Sequence, residues 1–180
     1  MKTKEKIKEK ILAIIPARSG SKRILNKNIR PFNGKPLIYY TIKVALESGI
    51  FDRVIVDTDS PEYAKIARKY GAETPFLRPK ELAKSGVSSE AVMIYLLKRL
   101  KDEGYVPDIV TLLQTTSPLR EVSDILDCHK IISNPNVPSV CTVYETHPWF
   151  LYLDSQNKII LVNKEAAKST QTEQVRKGYA

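Results

Sequence analysis

Ile11-Leu12-Ala13-Ile14-Ile15 places five apolar residues in succession and closes them with Pro16. Such a run predicts a strand buried on both faces, the mark of a parallel sheet held between helices. From Pro36 to Gly49 the apolar residues Ile38, Ile42, Ala45 and Leu46 recur at helical spacing, with Pro36 in the first turn and Gly49 at the end. Arg53 to Asp57 reads as a second strand, and Ser60-Pro61-Glu62 opens a helix that Gly71 closes. The alternation continues with an extended piece near Thr74 to Leu77 and a helix over Ser89 to Glu103 carrying Val92, Leu96, Leu97 and Leu100 on one face. A strand at Asp108 to Leu113 and a helix over Val122 to Ser133 follow. Strands alternating with helices at this spacing predict an α/β fold: a Rossmann-like open, mainly parallel sheet with helices on both faces. With 42% hydrophobic residues in 180, the chain can furnish one such core.

Beyond Ser139-Val140-Cys141-Thr142-Val143 the pattern changes. Trp149 to Leu153 and Lys158 to Val162 flank Asp154-Ser155-Gln156-Asn157 and read as a β-hairpin. Three parts follow: a basic N-terminal tail at residues 1–10, an α/β domain at 11–145 and a hairpin or dimerisation region at 146–180. An isolated two-stranded ribbon cannot bury the apolar side chains of that hairpin, so a homodimer is expected. The longest apolar runs fall far short of the roughly 20 residues needed to span a bilayer. Met1 to Lys10 is rich in Lys and Glu, without a signal-like apolar stretch, and Cys128 and Cys141 lack metal-ligand spacing. A cytoplasmic protein with no membrane partner is the expectation.

The formal charge of +9 could serve nucleic acid, a membrane surface or a small polyanion. Position discriminates among these. Arg18, Lys22, Arg23, Lys27, Arg30 and Lys35 crowd one segment, beside Ser19, Gly20 and Ser21, where the chain leaves the C-terminal end of the first strand. Ligands bind at that end of open α/β sheets, and small residues let backbone N–H groups approach phosphate oxygens while cations neutralise them. The segment is neither Gly-x-x-x-x-Gly-Lys-Ser/Thr nor Gly-x-Gly-x-x-Gly, which removes support for a P-loop ATPase or a dinucleotide enzyme. A solvated basic loop is the bland alternative. A basic nucleic-acid-binding protein is another, but no recognised nucleic-acid motif or interleaved aromatic platform is visible, and no nucleic-acid partner is expected.

Ile15-Pro16-Ala17-Arg18 through Asn28 resembles the N-terminal signature of the acylneuraminate cytidylyltransferases, Pro-Ala-Arg-x-x-Ser-Lys followed by a short spacer and Lys-Asn. Thr58-Asp59 resembles the end of that family's second strand. Leu77-Arg78-Pro79-x-Glu81-Leu82-Ala83 with Ser88-Ser89 resembles its base-recognition loop, and Gln114-Thr115-Thr116-Ser117-Pro118-Leu119-Arg120 its Gln-x-Thr-Ser-Pro-Leu-Arg motif. The resemblance implies that CMP passes from CTP to the anomeric hydroxyl of an N-acylneuraminate-type nonulosonic acid, with release of pyrophosphate. It implies that Arg18 and Lys27 are catalytic and hold the triphosphate, Lys27 as pyrophosphate leaves. Ser21, Lys22 and Asn28 would line the same pocket, while Arg78, Ser89 and the backbone near Val87 would recognise cytosine. Gln114 would face the sugar, and Arg176, with Lys177, would act across a dimer interface. Each has a plainer alternative: Arg78 could brace a loop, Ser89 could be an N-cap, and Asp59 could be a strand-end turn residue.

Arg23 resembles the pseudaminic acid branch, whereas Gln114 to Arg120 resembles the neuraminate and legionaminate branches. Ser85-Gly86-Val87 departs from the Asp-x-Ala of many members, and Lys22 and Asn28 separate the chain from the Kdo enzymes. The resemblance also implies Mg²⁺, held in the family by an Asp-rich segment near its C-terminus that has no counterpart before Gly178-Tyr179-Ala180. The metal ligands are therefore unknown, Asp59 and Asp57 being weak substitutes. The chain is expected to be shortened by some tens of residues and at best weakly active, a catalytically inactive nucleotide-binding remnant being the further alternative.

Overall fold

The computed structural model describes residues 9–21, 24–143, 151–153, 156 and 159–161. Its elements run β1 (Ile11–Pro16), β2 (Pro31–Phe32), β3 (Lys35–Pro36), α1 (Leu37–Glu47), β4 (Arg53–Asp57), α2 (Pro61–Lys69), α3 (Ser89–Asp102), β5 (Ile109–Leu112), α4 (Val122–Ile132), β6 (Leu151–Leu153) and β7 (Ile159–Leu161). By contact the chain divides into two units, Met1–Val140 and Cys141–Ala180.

In the first unit β1 is central. It pairs in parallel with β4, Ile14 opposite Ile55, and with β5, Leu12 opposite Val110, giving the order β4-β1-β5. Alternate residues of a strand point to opposite faces, and β1 uses both. Ala13 and Ile15 pack with Ile38 and Ile42 of α1, Ala67 of α2 and Ile125 of α4, whereas Leu12 and Ile14 pack with Leu96 and Leu100 of α3. A strand sealed on both sides must be apolar throughout, which accounts for the unbroken Ile11–Ile15 run. The α/β class with helices on both faces is thus the architecture of this unit.

Two local differences from the sequence reading have physical causes. Pro36 does not enter the helix: it is extended at φ −57°, ψ 142° and ends β3, one arm of a small hairpin with β2. Asn33 and Gly34 form its turn with φ of 45° and 79°, the left-handed conformation that two-residue hairpin turns require. The extended piece near Thr74 contributes only one bridge, Glu73 to Ile55, because Pro75 has no N–H to continue a ladder. From there the chain stays beside β4, the Arg78 N–H donating to the Thr58 carbonyl at 2.8 Å.

In the second unit β6 and β7 pair antiparallel, Tyr152 opposite Ile160. This is the small hairpin expected from the sequence.

Candidate functional site

The chain leaves β1 towards β4 on one side and only later returns to β5 on the other. The C-terminal ends of β1 and β5 therefore flank a topological switch point, where open α/β sheets form their ligand crevice. A cleft of about 660 Å³ opens there, of a size suited to a small-molecule ligand. Arg18, Ser21, Lys27 and Asn28 from the loop after β1 line it, with Arg78, Val87 and Ser89 from the segment before and at the start of α3 and Gln114 from the end of β5. Eight residues singled out from sequence thus surround one space. Lys22 and Arg176, with Lys177, lie outside the described residues.

The loop after β1 is anchored at several points. Ala17 donates its N–H to the Asp57 carbonyl at 2.9 Å. Asp59 accepts from both the N–H and the hydroxyl of Ser19, at 2.8 and 2.7 Å. Burial pushes the Asp59 carboxyl up, but the two Ser19 hydrogen bonds, a bond from its own backbone N–H and the charge of Arg78 together hold the group below its ordinary range. Farther on, Lys27–Ile29 forms a turn of 3-10 helix after Asn26, which sits at φ 53°. The Arg18 guanidinium donates to the Ala83 carbonyl at 3.3 Å, linking this loop to the segment before α3.

Arg78 is 6% exposed and takes up the end of β4 as its socket. Its Nε donates to Asp57 Oδ2 at 2.8 Å, and its Nη2 lies 2.5 Å from the same oxygen and donates to the Asp57 backbone carbonyl at 3.1 Å. Burial raises the Asp57 carboxyl while Arg78 pulls it back, the net direction being upward. Arg78 therefore does brace its loop, and it also lines the cleft. Ser88, not Ser89, caps α3, its hydroxyl accepting from the Ala91 N–H at 3.1 Å. That leaves the Ser89 side chain, exposed at the cleft, outside the capping bond.

No carboxylate stands among the described residues that line the cleft, and the charge of Arg78 is matched by Asp57. Arg18 and Lys27 are left as cations facing the space, an arrangement that stabilises a polyanion. Mg²⁺ finds no comparable provision. Asp57 is spent on Arg78, Asp59 is held on both oxygens by Ser19, and among the described residues no group of three or more His, Cys, Asp or Glu could share an ion. These residues do not fit a protein-held divalent metal, which needs several oxygen ligands converging on one point.

Sequence reasoning passed over Thr115 and Ser85, which also line the cleft. Thr115 is 3% exposed and reaches Asn28 across 87 residues of chain, a proximity only the fold creates. Its position directly after Gln114, in a motif at the strand end, was the available signal.

Residues 12–177 match the family model described as cytidylyltransferase. The chain belongs to the cytidylyltransferase family. This cytidylyltransferase-family chain is 40% identical over 164 residues to the pseudaminic acid cytidylyltransferase of Campylobacter jejuni, covering 89% of this chain and 70% of that protein. It is 39% identical to the CMP-N,N'-diacetyllegionaminic acid synthase of Legionella pneumophila, covering 84% and 66%, and 45% identical over 125 residues to an Escherichia coli N-acylneuraminate cytidylyltransferase, covering 69% and 29%. It thus spans about two thirds of the first two relatives and less than a third of the last. In fold, it superposes on a CMP:2-keto-3-deoxy-manno-octonic acid synthetase complexed with CTP with a TM-score of 0.61 at 23% identity, over 72% of this chain and 50% of that one. A 4-diphosphocytidyl-2C-methyl-D-erythritol synthase from Anaerococcus prevotii shares the fold with a TM-score of 0.58 at 14% identity, over 94% and 83%.

Proposed function

We propose that this chain carries the CTP site of an enzyme that transfers CMP to the anomeric hydroxyl of a nonulosonic acid of the N-acylneuraminate type and releases pyrophosphate. The observation that carries the proposal is the cleft at the switch point, lined by Arg18 and Lys27 from the loop after β1, by Arg78 and Ser89 from the segment before and at the start of α3, and by Gln114 from the end of β5. A molecule with a triphosphate at one end and a hydrogen-bonding base at the other matches that distribution of charge. In the reaction the sugar hydroxyl oxygen forms a bond to the α-phosphorus and loses its proton to solvent. The bond from that phosphorus to the bridging oxygen breaks, and its electron pair leaves with pyrophosphate.

Arg18 and Lys27 contribute by neutralising charge that grows on the departing oxygens, and the anchored loop keeps them in place without reorganisation. Arg78 and Ser89, with the backbone at Val87, read the base, while Ser21, Lys22 and Asn28 belong to the phosphate side. Gln114 faces the sugar, and a sugar-binding role for Arg176 in a homodimer belongs to the same proposal. No described carboxylate is placed to hold Mg²⁺, so the ion would come with the phosphates of CTP and would supply charge neutralisation there. The substrate class draws support from relatives named for pseudaminic, legionaminic and N-acylneuraminic acids. Among the described residues no helix is long and apolar enough to cross a membrane.

The test is pyrophosphate release on mixing the protein with CTP, Mg²⁺ and each of the three acids. Turnover with N-acetylneuraminic acid supports the proposal in full, and turnover with only a pseudaminic or legionaminic acid redirects its sugar. Absence of turnover with all three, together with absence of CTP binding, refutes it.

A further inference from the structure

Lys27 lies between two asparagines that tie it to the rest of the fold, Asn26 exposed and Asn28 buried. On one side the Tyr63 hydroxyl, on a side chain 1% exposed, donates to Asn26 Oδ1 at 3.3 Å. On the other, Asn28 is 4% exposed: its Nδ2 donates to the Arg18 carbonyl at 3.0 Å, and its Oδ1 accepts from the Thr115 hydroxyl at 2.7 Å. The chemistry of this second set allows one arrangement. A backbone carbonyl only accepts, so the amide nitrogen of Asn28 must face Arg18, its oxygen must face Thr115, and Thr115 must donate its single hydroxyl proton there. Thr115 thus fixes which way the amide points, and the amide in turn joins the residue carrying one cleft cation, Arg18, to the turn carrying the other, Lys27.

We propose that Thr115 is a positioning residue of the transfer reaction, acting through Asn28 to hold Arg18 and Lys27 at one spacing. Its hydroxyl contributes no charge to the cleft. It sets the geometry of two groups that do, and it does so from the loop after β5, so that the wall beside Gln114 and the phosphate-side loop move as one piece. Asn28 serves first as a bridge within the protein, with one amide hydrogen and one lone pair left for any ligand.

Two arms test this, of which only the kinetic one rests on the function proposed above. Thr115→Val keeps the shape and removes the donor, leaving Asn28 Oδ1 buried without a partner; Thr115→Ser keeps the donor. In the nucleotide-free protein, amide hydrogen exchange is read by NMR at Ile29 and Arg30, whose N–H groups both donate to the Asn26 carbonyl at 3.0 Å. Thr115→Val should speed that exchange about tenfold, as losing one buried hydrogen bond implies, and Thr115→Ser should leave it within about twofold of the parent. In pyrophosphate release, Thr115→Val should lower kcat about tenfold or more with a smaller change in KM for CTP, and Thr115→Ser should restore kcat. Exchange unchanged by Thr115→Val, equal damage from both substitutions, or a loss confined to KM would overturn the proposal. If the parent protein releases no pyrophosphate, the exchange arm alone decides.

Discussion

Removing the guanidinium from Arg78 isolates the buried Asp57 carboxylate, and the consequence can be worked from the structure. Both side chains are nearly sealed, at 4% and 3% exposure, and the carboxylate's Oδ2 takes both contacts from Arg78, at 2.8 and 2.5 Å. Water cannot replace what is lost. Breaking a buried pair by deleting one partner costs about 3–5 kcal/mol, because the survivor stays desolvated. In a domain whose total stability is about 5–15 kcal/mol, that is a large fraction. Arg78→Met, which retains much of the side chain's apolar bulk, should therefore lower the urea midpoint by about 2 M at neutral pH. The deficit should shrink on acidification. Burial already raises the Asp57 carboxyl above 3.8, and without Arg78 it rises further. A carboxyl whose folded-state pKa exceeds its unfolded value favours folding increasingly as pH falls through the folded value, by taking up a proton. Pairing Arg78→Met with Asp57→Asn should recover most of the loss at pH 7, since a neutral pair leaves no stranded charge. A midpoint shift below about 0.5 M, or a double substitution no better than the sum of its parts, would refute the reasoning.

Other consequences concern the cleft and the core. Lys27→Ala should lower kcat by about a hundredfold and Lys22→Ala far less, as steady-state pyrophosphate release would show, because only contacts strengthened in the transition state raise the chemical rate. Equal losses would contradict that division of roles. Ile14→Ala, at a position fully buried between β1's neighbours and α3, should cost about 2–5 kcal/mol in a urea titration without changing KM for CTP. For Asp59, whose carboxyl is held low, the tie to Ser19 is present above the ordinary carboxyl value and lost as pH falls through the lowered one. The stability difference between the parent and Asp59→Ala should thus stay constant from about pH 5 to 8 and vanish only below 3.8; a change near pH 6 in thermal melts would point elsewhere.

What could be read from the sequence followed from how each element is buried. Ile11–Ile15 and Arg53–Val56 are apolar without a break or nearly so because both faces of the sheet are covered, and a continuous run is hard to misplace. The helices α2 and α3 carry their own end signals, Ser60-Pro61 and Ser88-Ser89, so their limits could be placed within a residue or two. The hairpin of β2 and β3 escaped because its strands are two residues each and begin or end on proline, although Asn33-Gly34 is a strong turn pair. The cleft residues could be gathered because the segments bearing them all leave the same edge of the sheet. What joins them could not: Arg78 meets Asp57 across 21 residues, Asp59 meets Ser19 across 40 and Thr115 meets Asn28 across 87. Pairings between side chains on separate loops carry no periodicity, and they become visible only when β4, β1 and β5 lie side by side.

The central claim is that the cleft between β1 and β5 binds CTP through its base as well as its phosphates. Isothermal titration of the protein with CTP and with UTP, repeated with Arg78→Ala, tests it most directly. The account predicts that CTP binds about tenfold or more tightly than UTP, and that Arg78→Ala weakens CTP binding and narrows the gap between the two. Equal affinity for CTP and UTP in the parent protein, or a preference that Arg78→Ala leaves unchanged, would contradict it.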